Sequence, residues 1–222
     1  TFLGVNLDEH LTWDVHCRSV ANKMARNVGV LNRVKNSIPM ASLKTLYSSL
    51  IFPHYSYCLE AWGTCLPKYS KRITAIQKKA VRTVFRSHYL SHSEPRMKAL
   101  NILRFNDQYQ YQCLALLFNM LKGYAPDIFN LLQSHSNNVR TSSLRSVTNQ
   151  PQNLRLPSYQ TGQSSRTFLS LVPDLWNELS TEIQSAPTQS LFKRHLKLTF
   201  LSNYEERIVC TNPTCVDTRH HV

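Results

Sequence analysis

The segment KYSKRITAIQKKAVRTVFRS, residues 68–87, leaves the chain little choice of architecture. Ile73, Ile76, Ala80 and Val84, with Val81 beside them, recur at helical spacing. Lys71, Lys78, Arg82 and Arg86 recur at spacings of seven, four and four residues on another side of the same cylinder. This is the period of an α-helix with one face for a core and one face for water or a partner. Like charges stacked at that spacing cost roughly 0.2–0.5 kcal/mol per pair unless something anionic answers them.

Other stretches follow the same period. Val20, Met24, Val28 and Leu31 predict a helix over 15–35, with Lys23, Arg26 and Arg33 elsewhere on its surface. Pro39 suits the start of the next helix, with Ser37 as its cap, and Leu43, Leu46, Tyr47 and Leu50 carry it to Pro53, which should interrupt it. Residues 107–121 read as a nearly uncharged, buried helix. From 134 to 166 the pattern fails: Ser, Asn, Gln and Thr dominate, with Pro151 and Pro157 among them and Arg140, Arg145 and Arg155 along the way. Helical character returns near 168–179 and again over 188–200, where Leu191, His195 and Leu198 share a predicted face. The short apolar run FLGVNL at 2–7 leans toward β, Asp8-Glu9-His10 reads as a turn, and Leu11 and Trp13 either continue a returning strand or cover the next helix. The fold class expected is mainly α: a helical bundle with a short N-terminal β-hairpin and an irregular C-terminal extension.

Composition narrows the chemistry. The chain has 222 residues, 26 Lys and Arg against 13 Asp and Glu, and a net charge of +13. Residues 51–104 alone hold 10 basic and 2 acidic side chains, so the positive field is concentrated and suits phosphate backbones. With 5 glycines and no P-loop, GxSxG or HExxH, no motif carries a reaction, and no carboxylate cluster of the kind a two-metal centre needs is spelled. His16, His54 and His195 lie in apolar or helical contexts and read as hydrogen-bonded core or boundary residues. Of the six cysteines, most sit in apolar surroundings, as buried free thiols do, and without a secretory signal a reducing, intracellular compartment (nucleus or cytoplasm) is expected. Cys210 and Cys215, with His220 after them, are the candidate metal cluster, although their spacing departs from a zinc finger and no metal is expected. No apolar run reaches the ~20 residues of a membrane span. A chain that begins at Thr1, without Met, directly on an apolar run is expected to be a piece of something larger.

A family resemblance rests on particular residues. FLGVNLDEHLTWDVH at 2–16 resembles the segment that follows the catalytic palm in reverse transcriptases of non-LTR (LINE-type) retrotransposons of the jockey and chicken-repeat groups. The resemblance continues through Tyr47, Pro53, Tyr57, Cys58, Trp62 and Gly63, then Gln77, Lys79, Ala80 and Arg82. Arg166, Pro173, Trp176, Asn177, Leu179, Phe192 and Lys193 are similar to the ending these proteins share.

The resemblance implies a thumb-like helical bundle and C-terminal region of an RNA-directed DNA polymerase, lacking the palm with its paired aspartates and therefore not an enzyme by itself. It implies the end of the palm with a primer-grip-like hairpin over 1–14, a thumb-like domain over 15–133, an irregular linker over 134–165, a helical segment over 166–203 and a polar tail over 204–222. Phe2, Leu3 and Gly4 would be primer-grip-like. Lys71, Arg72, Lys78, Lys79, Arg82 and Arg86 would meet the backbone of an RNA/DNA or DNA duplex. The palm of the parent polymerase would be a partner, and no membrane would be. The parent would need Mg2+, and this chain no cofactor. A decayed or co-opted remnant serving as a helical protein-interaction module is the alternative.

Overall fold

The computed structural model describes residues 1–124 and 168–204. Among these the secondary structure is helical: α1 (Asp14–Val34), α2 (Met40–Leu50), α3 (Phe52–Ser56), α4 (Leu59–Trp62), α5 (Pro67–Val84), α6 (Glu94–Leu100), α7 (Phe105–Leu121), α8 (Phe168–Asn177), α9 (Thr181–Gln184) and α10 (Gln189–Ser202). The chain divides into two compact units, one formed by Thr1–Tyr109 with Thr199–Val222 and the other by Gln110–Leu198. None of the described helices is long and apolar enough to cross a membrane.

The expected N-terminal β-hairpin is not there. Phe2 and Val5 exchange backbone hydrogen bonds of 2.8 Å in each direction, and this is an isolated bridge closing a four-residue turn. Leu3 (φ 45°) and Gly4 (φ 81°) both take positive φ, as a type I′ turn requires. The chain does not pair further because Asp8 redirects it. Its carboxylate accepts from the Thr12 N–H (2.8 Å), the Thr12 hydroxyl (2.7 Å) and the Trp13 N–H (2.8 Å). These bonds, that to the Thr12 side chain foremost, hold the Asp8 carboxyl below its ordinary range. They also hold Leu11 (φ 49°) and Trp13 (φ 61°) in left-handed conformations that a bulky residue rarely adopts, and α1 starts immediately after. Trp13 is thereby turned into the core.

The first unit is built on α1 and α5, its most extensively packed pair. The Tyr69 hydroxyl donates to Asp14, Arg72 to Asn22, and Arg86 to the carbonyls of Lys35 and Ile38. Positions along α5 therefore ascend with positions along α1, and the two helices run the same way. Val20, Met24, Val28 and Leu31 of α1 are buried, as their spacing predicts, and so are Ile73, Ala80, Val81 and Val84 on the apolar face of α5, while Ile76 of that predicted face is half-buried. Full burial of each larger side chain contributes about 1.5–3 kcal/mol. Pro53 does interrupt the second helix: α2 stops at Leu50, and α3 restarts with the proline in its first turn. The bend is fixed by Asn27, whose amide donates to the Leu50 carbonyl (2.5 Å) and lies 3.0 Å from His54 Nε2. Ser37 does not cap α2; Pro39 holds that position, and no side chain bonds there.

Tyr204 closes the first unit at its far end. Its hydroxyl donates to Asp107 (2.6 Å) and accepts from the Arg104 N–H (2.6 Å), while the Arg104 guanidinium lies 4.6 Å from the ring centroid. Arg104 also pairs with Asp107 at 2.8 Å and with Glu94 at 3.2 Å. Burial, with the Asp107 bond, drives the Tyr204 phenol far above its ordinary range.

In the second unit, Phe118 stacks on Phe192 with centroids 4.4 Å apart, and Trp176 lies 5.9 Å from Phe192. Here the predicted face of the last helix is corrected: Phe192 and Leu196 point inward, while Leu191, His195 and Leu198 are exposed. A four-residue repeat anchored on Phe192 buries a larger aromatic surface than one anchored on Leu191, and the helix rotates accordingly.

The two remaining histidines are boundary residues, as expected. His16 is buried edge-on to Trp62 at 5.1 Å and takes the Asn6 N–H on Nδ1 at 3.4 Å. Burial foremost, then nearby cations (Lys23 for His16; Lys23 and Arg26 for His54), push both imidazoles below the ordinary histidine value of 6.5. Both are thus held neutral in the fold, and the unfolded chain binds more protons as pH drops below about 6.5. Stability should be fully present above that pH and decline toward pH 5. Urea midpoints measured at both pH values test this, and replacing His16 and His54 together by Gln should flatten the slope.

Candidate nucleic-acid interface

α5 places its cations opposite its buried face. At about 100° per residue, Lys71, Lys78 and Arg82 fall within about 40° of one another around the axis, with Arg72, Lys79 and Arg86 on the adjoining stripe. Lys71, Arg72, Lys79 and Arg86 are exposed; Lys78 and Arg82 are half-buried. Ala75, exposed among them, keeps the centre of the face low.

These six side chains are not equivalent. Arg86 donates Nε–H to the Lys35 carbonyl (2.8 Å) and Nη2–H to the Ile38 carbonyl (2.7 Å), tying the end of α5 to the turn after α1. It does so from a left-handed conformation (φ 53°), the residue position where helices usually place glycine, and the Ser87 N–H closes back on the Arg82 carbonyl at 2.9 Å. Arg82 donates to the Ser91 carbonyl (2.6 Å), and Arg72 to Asn22 (3.0 Å). Each of these guanidinium groups braces the fold. For Lys71, Lys78 and Lys79 no such bond is formed with a described carbonyl or carboxylate.

Gln77 does not belong to this surface. It is wholly buried, accepts from the Phe105 N–H (3.0 Å), and donates to the Leu103 carbonyl (2.8 Å) and the Tyr55 hydroxyl (3.0 Å), which itself lies 3.0 Å from the Tyr47 hydroxyl. That burial keeps its amide away from any ligand at the surface. Burial also raises both phenols above their ordinary range.

At the N-terminus, Phe2, Leu3 and Gly4 form the turn described above, with the Tyr57 hydroxyl donating to the Leu3 carbonyl (2.9 Å). Phe2 (66%), Leu3 (72%), Leu7, Leu11, Val15 and Tyr57 are all exposed, an unusual density of uncovered apolar side chains within one short stretch. Cys210, Cys215 and His220 lie outside the described residues, as do Arg140, Arg145, Arg155 and Arg166. Among the described residues no group of three or more His, Cys, Asp or Glu could hold a metal ion. Among the described residues Cys17, Cys58, Cys65 and Cys113 form no disulfide, and all but Cys58 are buried.

One feature escaped the sequence reading. Residues 87–93, SHYLSHS, leave α5 at Arg86 and fold back so that Ser91 meets Arg82. An aromatic pair without apolar periodicity, directly after a basic helix, was the available signal.

Comparison with known proteins gives two relatives from Drosophila melanogaster. The probable RNA-directed DNA polymerase from transposon X-element is 23% identical over 160 residues, 70% of this chain and 16% of the relative. The probable RNA-directed DNA polymerase from transposon BS is 22% identical over 111 residues, 48% of this chain and 12% of the relative. The chain therefore spans about a sixth or less of the relatives it matches. No protein-family model and no solved structure matches it. The resemblance read from the residues, to polymerases of this kind, is borne out.

Proposed function

We propose, from this similarity to transposon RNA-directed DNA polymerases, that the chain is the thumb-like and C-terminal part of such an enzyme. Its first unit then contacts the backbone of a template–primer duplex through α5. The observation that supports the reading most is the division of α5 into a buried apolar face and an opposite face carrying Lys71, Arg72, Lys78 and Lys79. Such a surface neutralises phosphates without reading sequence.

Polymerisation itself would belong to a palm outside this chain, and the magnesium of that reaction to the palm's aspartates. The exposed Phe2, Leu3, Leu7, Leu11, Val15 and Tyr57 suit a protein surface better than a nucleic acid, and in this reading the parent's palm covers them. Its site of action would be inside the cell, where the template is.

The test is salt-dependent binding to an RNA/DNA duplex. Replacing Lys71, Lys78 and Lys79 by Gln leaves the braces at Arg82 and Arg86 intact. It should weaken binding by at least tenfold at low salt and reduce the slope of log affinity against log salt by roughly 2–3. An unchanged slope would remove α5 from the interface. A chain that binds no duplex but holds a protein partner through the N-terminal apolar residues would instead favour a protein-interaction module.

A further inference from the structure

The loop after α5 is ordered without a core of its own. Its backbone is held from both sides by guanidinium groups: Arg82 donates to the Ser91 carbonyl at 2.6 Å, and Arg96 donates to the Ser87 hydroxyl at 2.7 Å and to the His92 carbonyl. Ser91 and Ser93 are buried beneath it, and the Ser91 N–H closes on the His88 carbonyl at 3.1 Å. What this scaffold presents is a pair of rings. His88 and Tyr89 have centroids 4.4 Å apart, Tyr89 is 72% exposed, and the Leu90 N–H turns back to His88 Nδ1 at 3.3 Å. The two rings are inclined at 42°, and both stand on the braced loop. The Arg82–Ser91 bond sets the loop beside the C-terminal end of the basic face of α5.

An exposed aromatic on a braced loop at the end of a line of cations has the two parts that single-stranded nucleic-acid sites combine: a charged track for the backbone and a platform for a base. We propose that Tyr89, backed by His88, stacks on an unpaired nucleobase of a strand whose phosphates run along α5. The ligand is thus a duplex with a single-stranded extension rather than a blunt one. This rests on the reading of α5 as a phosphate-binding face and adds a separate contact to it.

The experiment compares the full chain on a blunt duplex and on the same duplex with a short overhang carrying a fluorescent base analogue. The parent chain should prefer the overhang by about tenfold and change the emission of the analogue, as stacking does. Tyr89→Ala should abolish both the preference and the emission change while leaving blunt-duplex affinity intact; Tyr89→Phe, which keeps the ring, should retain both. The side chain is exposed, so neither substitution should alter the far-ultraviolet circular dichroism. If the parent binds both duplexes equally and Tyr89→Ala changes nothing, the stacking proposal falls and the α5 reading stands. If Lys71, Lys78 and Lys79 replacements leave all binding untouched while the Tyr89 effect persists, the α5 reading falls and a base-binding loop stands alone. Binding to neither duplex overturns both.

Discussion

Replacing Gln77 by Leu should destabilise the first unit by about 3–5 kcal/mol, although the volume is nearly conserved and the new side chain is more apolar. The cost lies in what is left behind. The Phe105 N–H and the Leu103 carbonyl both lose their partner at a wholly buried position, and each orphaned buried group costs about 1–3 kcal/mol. The Tyr55 hydroxyl loses a donor as well and retains only Tyr47. Against a total stability of about 5–15 kcal/mol for a domain, that loss is large. Urea denaturation followed by tryptophan emission measures it. Gln77→Glu supplies a check on mechanism. Ionised, it sets an acceptor against the Leu103 carbonyl; protonated, it can donate there. Its folded pKa is therefore raised, and its stability relative to the parent should rise as pH falls. A Leu variant as stable as the parent would show that the segment 103–105 is held by packing alone.

The same residue shows where sequence reading reaches and where it stops. The helix over 68–87 is legible because Ile73, Ile76, Ala80 and Val84 keep its period, and most of the buried faces of α1 and α5 follow from such spacing. Position on the cylinder also separates Gln77 from the lysines: it follows Ile73 by four residues and precedes Ala80 by three, on the apolar side. A polar amide among lysines fits a surface by residue type alone, but the period, which decides burial, points the other way. In the QKKAVR run that carries part of the family resemblance, Gln77 ties three segments together, Ala80 packs, and Arg82 holds a loop. Lys79 alone of those matched positions is exposed. A shared motif there marks a shared fold as much as a shared ligand.

Other features depended on contacts between distant residues and had no local signature. Arg86 looked like one more rung of a charged ladder; that it serves the carbonyls of Lys35 and Ile38 follows only once α1 and α5 lie side by side. The apolar run at 2–7 matched a strand pattern, yet a strand needs a partner of similar length, and three hydrogen bonds to Asp8 send the chain into α1 first. The last helix offered two leucine-bearing faces, and only the stacked Phe118 and Phe192 decide between them.

Gly63→Ala should cost about 3 kcal/mol or more, the opposite of what its backbone suggests. Gly63 has φ −63° and ψ −17°, a conformation alanine adopts freely, and in open space the exchange would stabilise by about 0.4–1 kcal/mol. Space decides the sign. A Cβ there would lie 2.1 Å from Tyr109 Cδ2 and 2.7 Å from the Leu59 carbonyl oxygen. Tyr109 is buried, so its ring has no solvent to swing into, and α4 would have to shift with Trp62, whose indole donates to the Tyr57 carbonyl at 2.9 Å and whose ring lies 5.7 Å from Phe105. Overpacking of this kind costs about 1–3 kcal/mol when neighbours yield and more when backbone opposes them. Gly29 is the internal control. It lies within α1 with nothing within 4 Å of a built Cβ, and Gly29→Ala should stabilise by about 1 kcal/mol. Thermal or urea unfolding of the two alanine variants should therefore move in opposite directions. A cycle with Tyr109→Ala should recover more than about 1 kcal/mol of the Gly63→Ala cost, because the two side chains compete for one volume. If Gly63→Ala instead matches Gly29→Ala in sign, the close approach of Tyr109 is not what keeps glycine at that turn.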